Sequence, residues 1–278
     1  MSDRQSEIAR ELGTGTRLTQ LSNDPLAAAA TVRLSSQVAQ ASATISAIQT
    51  VQARMQTADS ALGSVITQLT SAISVAVGAA NDTSNAQDRA SAAVQLSSIR
   101  DAVLNLANSS YNGTYLFGGT VAGATPFTRD DTTGDVTYSG DANSATLTVQ
   151  GKTVPTSASG TALFGDGSSG LFAQLQDVIT ALQSGQAPTA VQISGIRRGL
   201  QGVIDGRSAL ASSAKRLQDA SSYTATQQTN LQAQQTAIAG TDPVALATEL
   251  SNTQTQRSAL LSSLAALGKN SLFDYLPS

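Results

Sequence analysis

The 278-residue chain contains no Cys, His or Trp, and its aromatic share is 4%. This composition excludes thiol nucleophiles, disulfides, Ser–His–Asp relays, Cys/His zinc sites and imidazole pH switches. Net charge is −3 with 13% charged residues. No basic stripe suited to nucleic acid appears, and no apolar run is read that approaches the roughly 20 residues of a membrane span. The start, MSDRQSEIARE, is polar and lacks the apolar core of a secretory leader.

The first clear element is a long helix. Ser22-Asn23-Asp24-Pro25 offers a capping side chain and Pro at the first helical position. From there an apolar seam reads Leu34, Val38, Ala41, Ile45, Ile48, Val51, Met55, Ala58, Leu62, Val65, Leu69. Steps of four and three alternate, with one slip at Ile48–Val51, which is the heptad pattern of a coiled coil. Gly78 and the polar stretch Asn81–Asn85 end it. A second helix keeps the alternation through Ala92, Leu96, Ile99, Val103 and Leu106, and folds back before Tyr111-Asn112-Gly113.

Between Tyr111 and Gly170, glycine, threonine and aspartate are dense. Alternating runs at 135–138, 145–149 and 152–154 are separated by Asp141-Ala142-Asn143-Ser144 and Gln150-Gly151. They predict a small antiparallel β unit. Helical period returns at Leu171, Phe172, Leu175, Val178, Ile179 and Leu182, closed by Gly185. The longest seam follows: Ile196, Leu200, Val203, Arg207, Leu210, Ala214, Leu217, Ser221, Thr224, Gln228, Leu231, Gln235, Ile238. At 1.5 Å per residue it spans roughly 60 Å. Gly240-Thr241-Asp242-Pro243 breaks and recaps the chain. A last helix carries Leu246, Leu250, Thr253, Arg257, Leu260, Leu264 and Leu267.

These elements predict a mainly α fold with a small β-rich insertion (α+β). The expected architecture is a long antiparallel coiled-coil rod with both termini together and the β domain at the tip. Residues 1–110 and 186–278 form the discontinuous rod. Residues 111–185 form the insertion and a short helix, and the β unit within it, roughly Tyr111 to Gly170, is expected to fold independently of the seam and to tolerate deletion. The candidate assembly residues are the seam positions Leu34, Val38, Ile45, Ile48, Met55, Leu62, Leu69, Leu200, Leu210, Leu217, Leu231, Ile238, Leu246, Leu250, Leu260, Leu264 and Leu267.

Chemical motifs are weak by comparison. Gly165-Asp166-Gly167-Ser168-Ser169-Gly170 matches G-x-G-x-x-G, but no second parallel strand follows, so it reads as a linker. Gly151-Lys152-Thr153 lacks the upstream glycine of a phosphate loop and reads as a hairpin turn. Arg129–Asp135 lacks calcium-loop spacing. No carboxylate pair is set apart for acid–base chemistry, so no catalytic, cofactor or metal residue is assigned. Arg207 and Arg257 sit on seam positions. They either snorkel at the edge or pair with acidic residues of a neighbouring subunit.

Several segments carry a family resemblance. Leu12-Gly13-Thr14-Gly15-Thr16-Arg17-Leu18 with Ser22-Asn23-Asp24-Pro25-Leu26-Ala27-Ala28 resembles the shared signature of flagellins and hook-associated proteins. Tyr111-Asn112-Gly113-Thr114-Tyr115-Leu116-Phe117-Gly118-Gly119, with Pro126-Phe127, is similar to the hook–filament junction type. So are Val136–Asp141, Ala247–Ser251 and the ending Ser271-Leu272-Phe273-Asp274-Tyr275-Leu276. The resemblance implies a non-enzymatic structural subunit of the bacterial flagellum, without a cofactor. It implies export through the flagellar channel to an extracellular position. Implied partners are another hook-associated protein, flagellin subunits, further copies in a ring-like assembly and an export chaperone; neither nucleic acid nor membrane insertion is implied. A flagellin filament subunit is the nearest alternative, and a chemoreceptor-like signalling hairpin a more distant one. About a dozen residues precede the Gly-Thr-Gly-Thr-Arg-Leu segment, where the family has a longer helix. The stripe from about Asp242 onward is therefore expected to lack its partner and fray until assembly orders it.

Overall fold

The computed structural model describes residues 2–17, 24–81, 83–121 and 123–269, with side chains described over 4–266 of these. The fold is mainly helical with small antiparallel sheets, as the sequence predicts. Seven helices are described, α1 Ser2–Thr14, α2 Pro25–Ala79, α3 Ala86–Ala107, α4 Gly160–Phe164, α5 Leu171–Gln183, α6 Ala190–Ala239 and α7 Pro243–Lys269. Six short strands lie between α3 and α4. Contacts divide the chain into two compact units, Met1–Ala43 with Thr224–Ser278, and Thr44–Tyr223.

The first unit is helical. Asp24 caps α2, its carboxylate accepting the Ala27 N–H at 3.0 Å, with Pro25 supplying a pre-set first helical residue. The other two candidates for this cap, Ser22 and Asn23, lie outside the described residues. Asp242 caps α7 in the same manner, accepting the N–H groups of Val244 and Ala245 at 2.9 and 3.2 Å. α1 packs on α7, burying Ile8 completely. The Arg4 guanidinium reaches Glu249 at 2.8 Å, and Arg257 donates to Gln5 at 3.1 Å. The first part of α7 therefore has a partner, contrary to the expectation that its whole stripe is unaccompanied. Ile8 of α1 and Leu246 of α7 are both buried, in a unit where Arg4 and Glu249 pair across the two helices. Between α2 and α6 in this unit, Gln235 donates to Ser35 at 2.9 Å and Gln228 to Ser42 at 2.6 Å. Seven residues forward on one helix match seven back on the other, so the pairing is antiparallel.

The second unit wraps the insertion onto helices. α3 begins with a capping box in which Asn85 accepts from the Asp88 N–H and Asp88 accepts from the Asn85 N–H. The strands form three separate hairpins instead of one sheet. β1 Ser110–Tyr111 pairs with β2 Thr114–Tyr115, β3 Phe127–Arg129 with β4 Val136–Tyr138, and β5 Thr146–Val149 with β6 Lys152–Pro155. The expected single β unit is thus corrected. β4 takes its partner from upstream, and each hairpin pairs only with itself. Asn112-Gly113 and Gln150-Gly151 close two of them with positive φ at both positions, 48° and 76°, then 53° and 73°. That is the turn geometry matching the right-handed twist of a two-residue hairpin.

One core holds this unit together. Phe117, Phe127, Phe164 and Phe172 meet in edge and tilted contacts 5.3 to 6.0 Å apart, a spacing aromatic rings favour. They share the cluster with Leu62 and Leu69 of α2, Leu96 of α3, Leu175 of α5 and Val203 of α6. Asn108, just after α3, exchanges two bonds with the Phe127 backbone at 2.8 and 2.9 Å. Asp101 of α3 meets Arg129 of β3 at 2.8 Å. α6 is notched where the insertion docks: a Cβ at Gly199 would overlap Leu171, and one at Gly206 would overlap Leu163. These contacts explain why the compact units do not follow the boundaries read at 110/111 and 185/186. The insertion shares its core with α2, α3, α5 and α6.

The Gly165–Gly170 segment is structural. Gly165 ends α4 with φ 69°, and a 3-10 turn at Gly167–Ser169 leads into α5. Asp141 pins the loops nearby by accepting the N–H of Thr120 at 2.8 Å, the Thr120 hydroxyl and the N–H of Asn143 at 3.1 Å. The Thr120 bonds, aided by Asn143, hold its carboxyl at about 2. The Tyr138 hydroxyl lies within 3.0 Å of the Phe117 carbonyl and 2.9 Å of the Asp141 carbonyl. Burial raises its pKa.

One reading of the sequence needs amending. α2 contains an 18-residue window of mean hydropathy 1.5, so by length and composition it is apolar enough to cross a membrane. A third of that window is buried, and its apolar residues fall on the seven-residue repeat of a packed seam, the pattern of a core helix.

Candidate assembly interface

The seam is the structural site the sequence points to. In α2, residues spaced by seven from Leu34 through Ala41, Ile48, Met55, Leu62 and Leu69 to Ala76 are buried, apart from half-buried Ala41. In α6 the matching repeat is Ile196, Val203, Leu210, Leu217, Thr224, Leu231 and Ile238, buried up to Thr224 and half-buried beyond. A strict period of seven makes paired helices supercoil left-handed. Val38, Ile45, Leu200 and Leu250 are half-buried, and Leu246 is buried. The second stripe of α6 (Leu200, Arg207, Ala214, Ser221, Gln228, Gln235) is half-buried throughout and turns polar toward its end.

The slip read at Ile48–Val51 has a physical counterpart. Gln52 occupies the position that would continue Val38 and Ile45, and its amide donates to Gln218 at 3.0 Å. Seven residues on, Asp59 receives both Nε and Nη2 of Arg207 at 2.7 and 3.0 Å. This two-pronged bond to the guanidinium lowers the Asp59 pKa. Arg207 is therefore paired within its own chain, correcting the reading of an intermolecular bond. Arg257 likewise bonds Gln5 of its own chain.

Other predicted seam residues are not brought together. Leu260 and Leu264 are 49% and 63% exposed on α7, and the side chain of Leu267 lies outside the described residues. Sequence reasoning missed four more exposed apolar positions in the same unit: Leu26, Val32, Val244 and Leu261. The available signal was their phase. Each lies off the buried repeat of its own helix yet is apolar. Covering a leucine of this kind is worth about 1.5–3 kcal/mol, so such a surface favours association with another protein surface. Among the described residues, no cluster of three or more acidic side chains is placed to hold a metal ion.

Comparison with known proteins gives a consistent pattern. A model of the bacterial flagellin N-terminal helical region matches residues 2–122, and a model of the C-terminal helical region matches 193–276. Flagellar hook-associated protein 3 of Salmonella typhimurium is 34% identical over 193 residues, 64% of this chain and 60% of that protein. The match thus spans less than two thirds of that relative's length. Two solved structures share the fold with TM-scores of 0.59. The putative flagellar hook-associated protein of Vibrio parahaemolyticus is 18% identical, over 79% of this chain and 97% of that one. FlgL of Bacillus cereus is 23% identical, over 73% and 97%.

Proposed function

The chain belongs to the bacterial flagellin family, and from that premise we propose that it is a structural subunit of the flagellum that joins hook to filament. The observation that carries this reading is the uncovered apolar surface of the helical unit: Leu260, Leu261 and Leu264 on α7, with Leu26 and Val32 on α2. Such residues in a flagellin-family chain are surfaces awaiting neighbouring subunits. The identity to a protein named for the hook, and the Tyr115-Leu116-Phe117-Gly118-Gly119 segment, favour a junction role over a filament role.

The work is mechanical, with no catalytic step. The subunit leaves the cell through the flagellar channel, accompanied beforehand by an export chaperone that covers the α7 leucines. It then takes its place in a ring of like copies, between another hook-associated protein and the first flagellin subunits. The test is electron microscopy of cells lacking the gene. Intact hooks with filaments shed into the medium are expected, reversed by the wild-type gene. A Leu260→Ser/Leu264→Ser copy should be secreted without restoring attached filaments. Normal attached filaments in the deletion strain would refute the junction reading. Long filaments grown by the purified chain alone would favour the flagellin alternative.

A further inference from the structure

The β3–β4 hairpin has one closed edge and one open edge. Its register pairs Phe127 with Tyr138, Thr128 with Thr137 and Arg129 with Val136. At its ends the Asp130 N–H donates to the Asp135 carbonyl and the Ser139 N–H to the Pro126 carbonyl, both at 2.8 Å. Hydrogen-bonded pairs alternate along an antiparallel ladder. Thr137 therefore bonds toward β3, and the N–H and C=O groups of Val136 and Tyr138 point the other way. On the β3 side the outward groups are those of Phe127, and Asn108 bonds both at 2.8 and 2.9 Å. Among the described residues no strand lies beside the outer edge of β4, and its outward backbone groups find no hydrogen-bond partner.

That edge opens onto a cavity of about 390 Å³ lined by Val136, Thr137 and Tyr138 together. Successive strand residues face opposite sides of a sheet, so a cavity touching three in a row runs along the strand edge. The packed rings of Phe127, Phe164 and Phe172 give it an apolar side. Gly165, Gly167 and Gly170 form another wall, presenting backbone without side chains. Asp166 supplies the charge of the lining; it is exposed and enters no ion pair among the described residues. The Tyr138 hydroxyl, held at the Phe117 and Asp141 carbonyls, fixes the strand in place, so little ordering remains to oppose binding.

Unpaired groups along a strand edge are satisfied by a second extended backbone, the basis of recognition by strand addition. We propose that the β4 edge takes an extended segment of a partner protein as an added strand. The segment carries an apolar side chain for the phenylalanine side of the cavity and, two positions on and on the same face, a Lys or Arg for Asp166. Within this chain Lys152 and Val154 have that spacing, but Val154 is buried and Pro155 beside it has no N–H. A second copy therefore does not supply the strand from β6.

The probe is the peptide Ac-Ser-Thr-Phe-Thr-Lys-Thr-Ser-amide carrying a fluorophore, titrated with the full purified chain and read by fluorescence anisotropy. Saturable binding is expected. Replacing its Phe by Ser, or its Lys by Glu, should weaken binding roughly tenfold or more. N-Methylation of one alternate set of peptide N–H groups should abolish binding, and of the other set leave it within about twofold, because successive residues of an added strand bond to opposite sides. Val136→Pro removes an outward N–H and no bond to β3, a change an edge strand accepts. It should weaken binding roughly three- to tenfold with an unchanged thermal melt. Asp166→Asn should erase the preference for Lys over Glu in the peptide. Absence of saturable binding, equal loss from both methylated sets, an undiminished preference in Asp166→Asn, or a folded Val136→Pro chain that binds as wild type does would each overturn the proposal. Should Val136→Pro fail to fold, the methylated peptides on the wild-type chain decide. Self-association of the wild-type chain that the peptide competes away would assign the edge to a second copy and overturn the partner reading. The junction role is tested by the deletion strain and is independent of these outcomes.

Discussion

The two compact units are built from similar helices but solve different problems. The unit of residues 44–223 encloses Phe117, Phe127, Phe164 and Phe172 in one core with side chains of four long or medium helices. The helical unit buries little beyond Ile8, Leu34 and Leu246, joins its paired helices through Ser–Gln bonds, and leaves leucines uncovered. Stability within one chain and readiness to join other chains draw on the same apolar side chains. A residue enclosed at home is unavailable to a neighbour. The contrast suggests that one unit is complete as a monomer and the other is completed by its surroundings.

The largest test of that contrast replaces residues 111–170 with a short Gly/Ser linker. This removes Leu116, Phe117, Phe127 and Phe164 from the shared core, so cooperative unfolding of the 44–223 unit should be lost in a thermal melt. Retention of a sharp transition would restore the modular view of the insertion. Next, Phe164→Ala should cost about 3–5 kcal/mol by denaturant titration, since the ring is enclosed and touches three other aromatic residues or their neighbours. A loss below about 1 kcal/mol would show that the core can close around the gap.

Much of this was legible beforehand. Period seven located α2, α6 and the seam, because a buried stripe on a long helix leaves a regular trace. Pro25, Asp242 and Gly185 marked ends because each has a backbone reason to stand there. The hairpin turns at 112–113 and 150–151 were readable on the same grounds. What remained hidden was the docking of the insertion. It depends on Asn108, Asp101 and the α6 glycines at 195, 199, 202 and 206, whose spacing of four, three and four is itself a helical stripe of small residues. A stripe with no side chains carries no hydropathy signal, so it passed unread. Arg207 was visible on the seam, but its partner Asp59 lies 148 positions away and only folding brings them together.

Smaller effects sharpen the comparison further. Gln228→Ala, in the helical unit, should cost about 1 kcal/mol or less, because one half-buried neutral hydrogen bond is lost. A cost like that of Phe164→Ala would mean the polar seam is as tightly built as the aromatic core. Asp141 predicts an acid response of the other unit. Its folded pKa, about 2, lies below its ordinary value of 3.8. The stabilisation is therefore full above that ordinary value and is lost as pH falls through about 2. Asp141→Asn should flatten this part of the stability-versus-pH curve, measured by fluorescence or circular dichroism between those values. The smallest expected change is Leu264→Ser, which should leave monomer stability within about half a kcal/mol while weakening any association. A clear destabilisation of the monomer would place Leu264 in an intramolecular contact.

The antiparallel match of α2 and α6 also has a consequence for load. Cross-links between the helices recur within each unit: Ser35–Gln235 and Ser42–Gln228 in one, seven residues apart on both helices, and Gln52–Gln218 and Asp59–Arg207 in the other, seven apart on α2 and eleven on α6. A pull directed along the helix axes must shear all such layers of a unit together, so each carries a share of the force. A pull directed across the axes peels them one after another, and the weakest layer sets the yield. The paired helices are thus stiff to tension along their length and compliant to prying, an anisotropy that single-molecule pulling from engineered cysteines at chosen ends could read directly in a chain with no cysteine of its own.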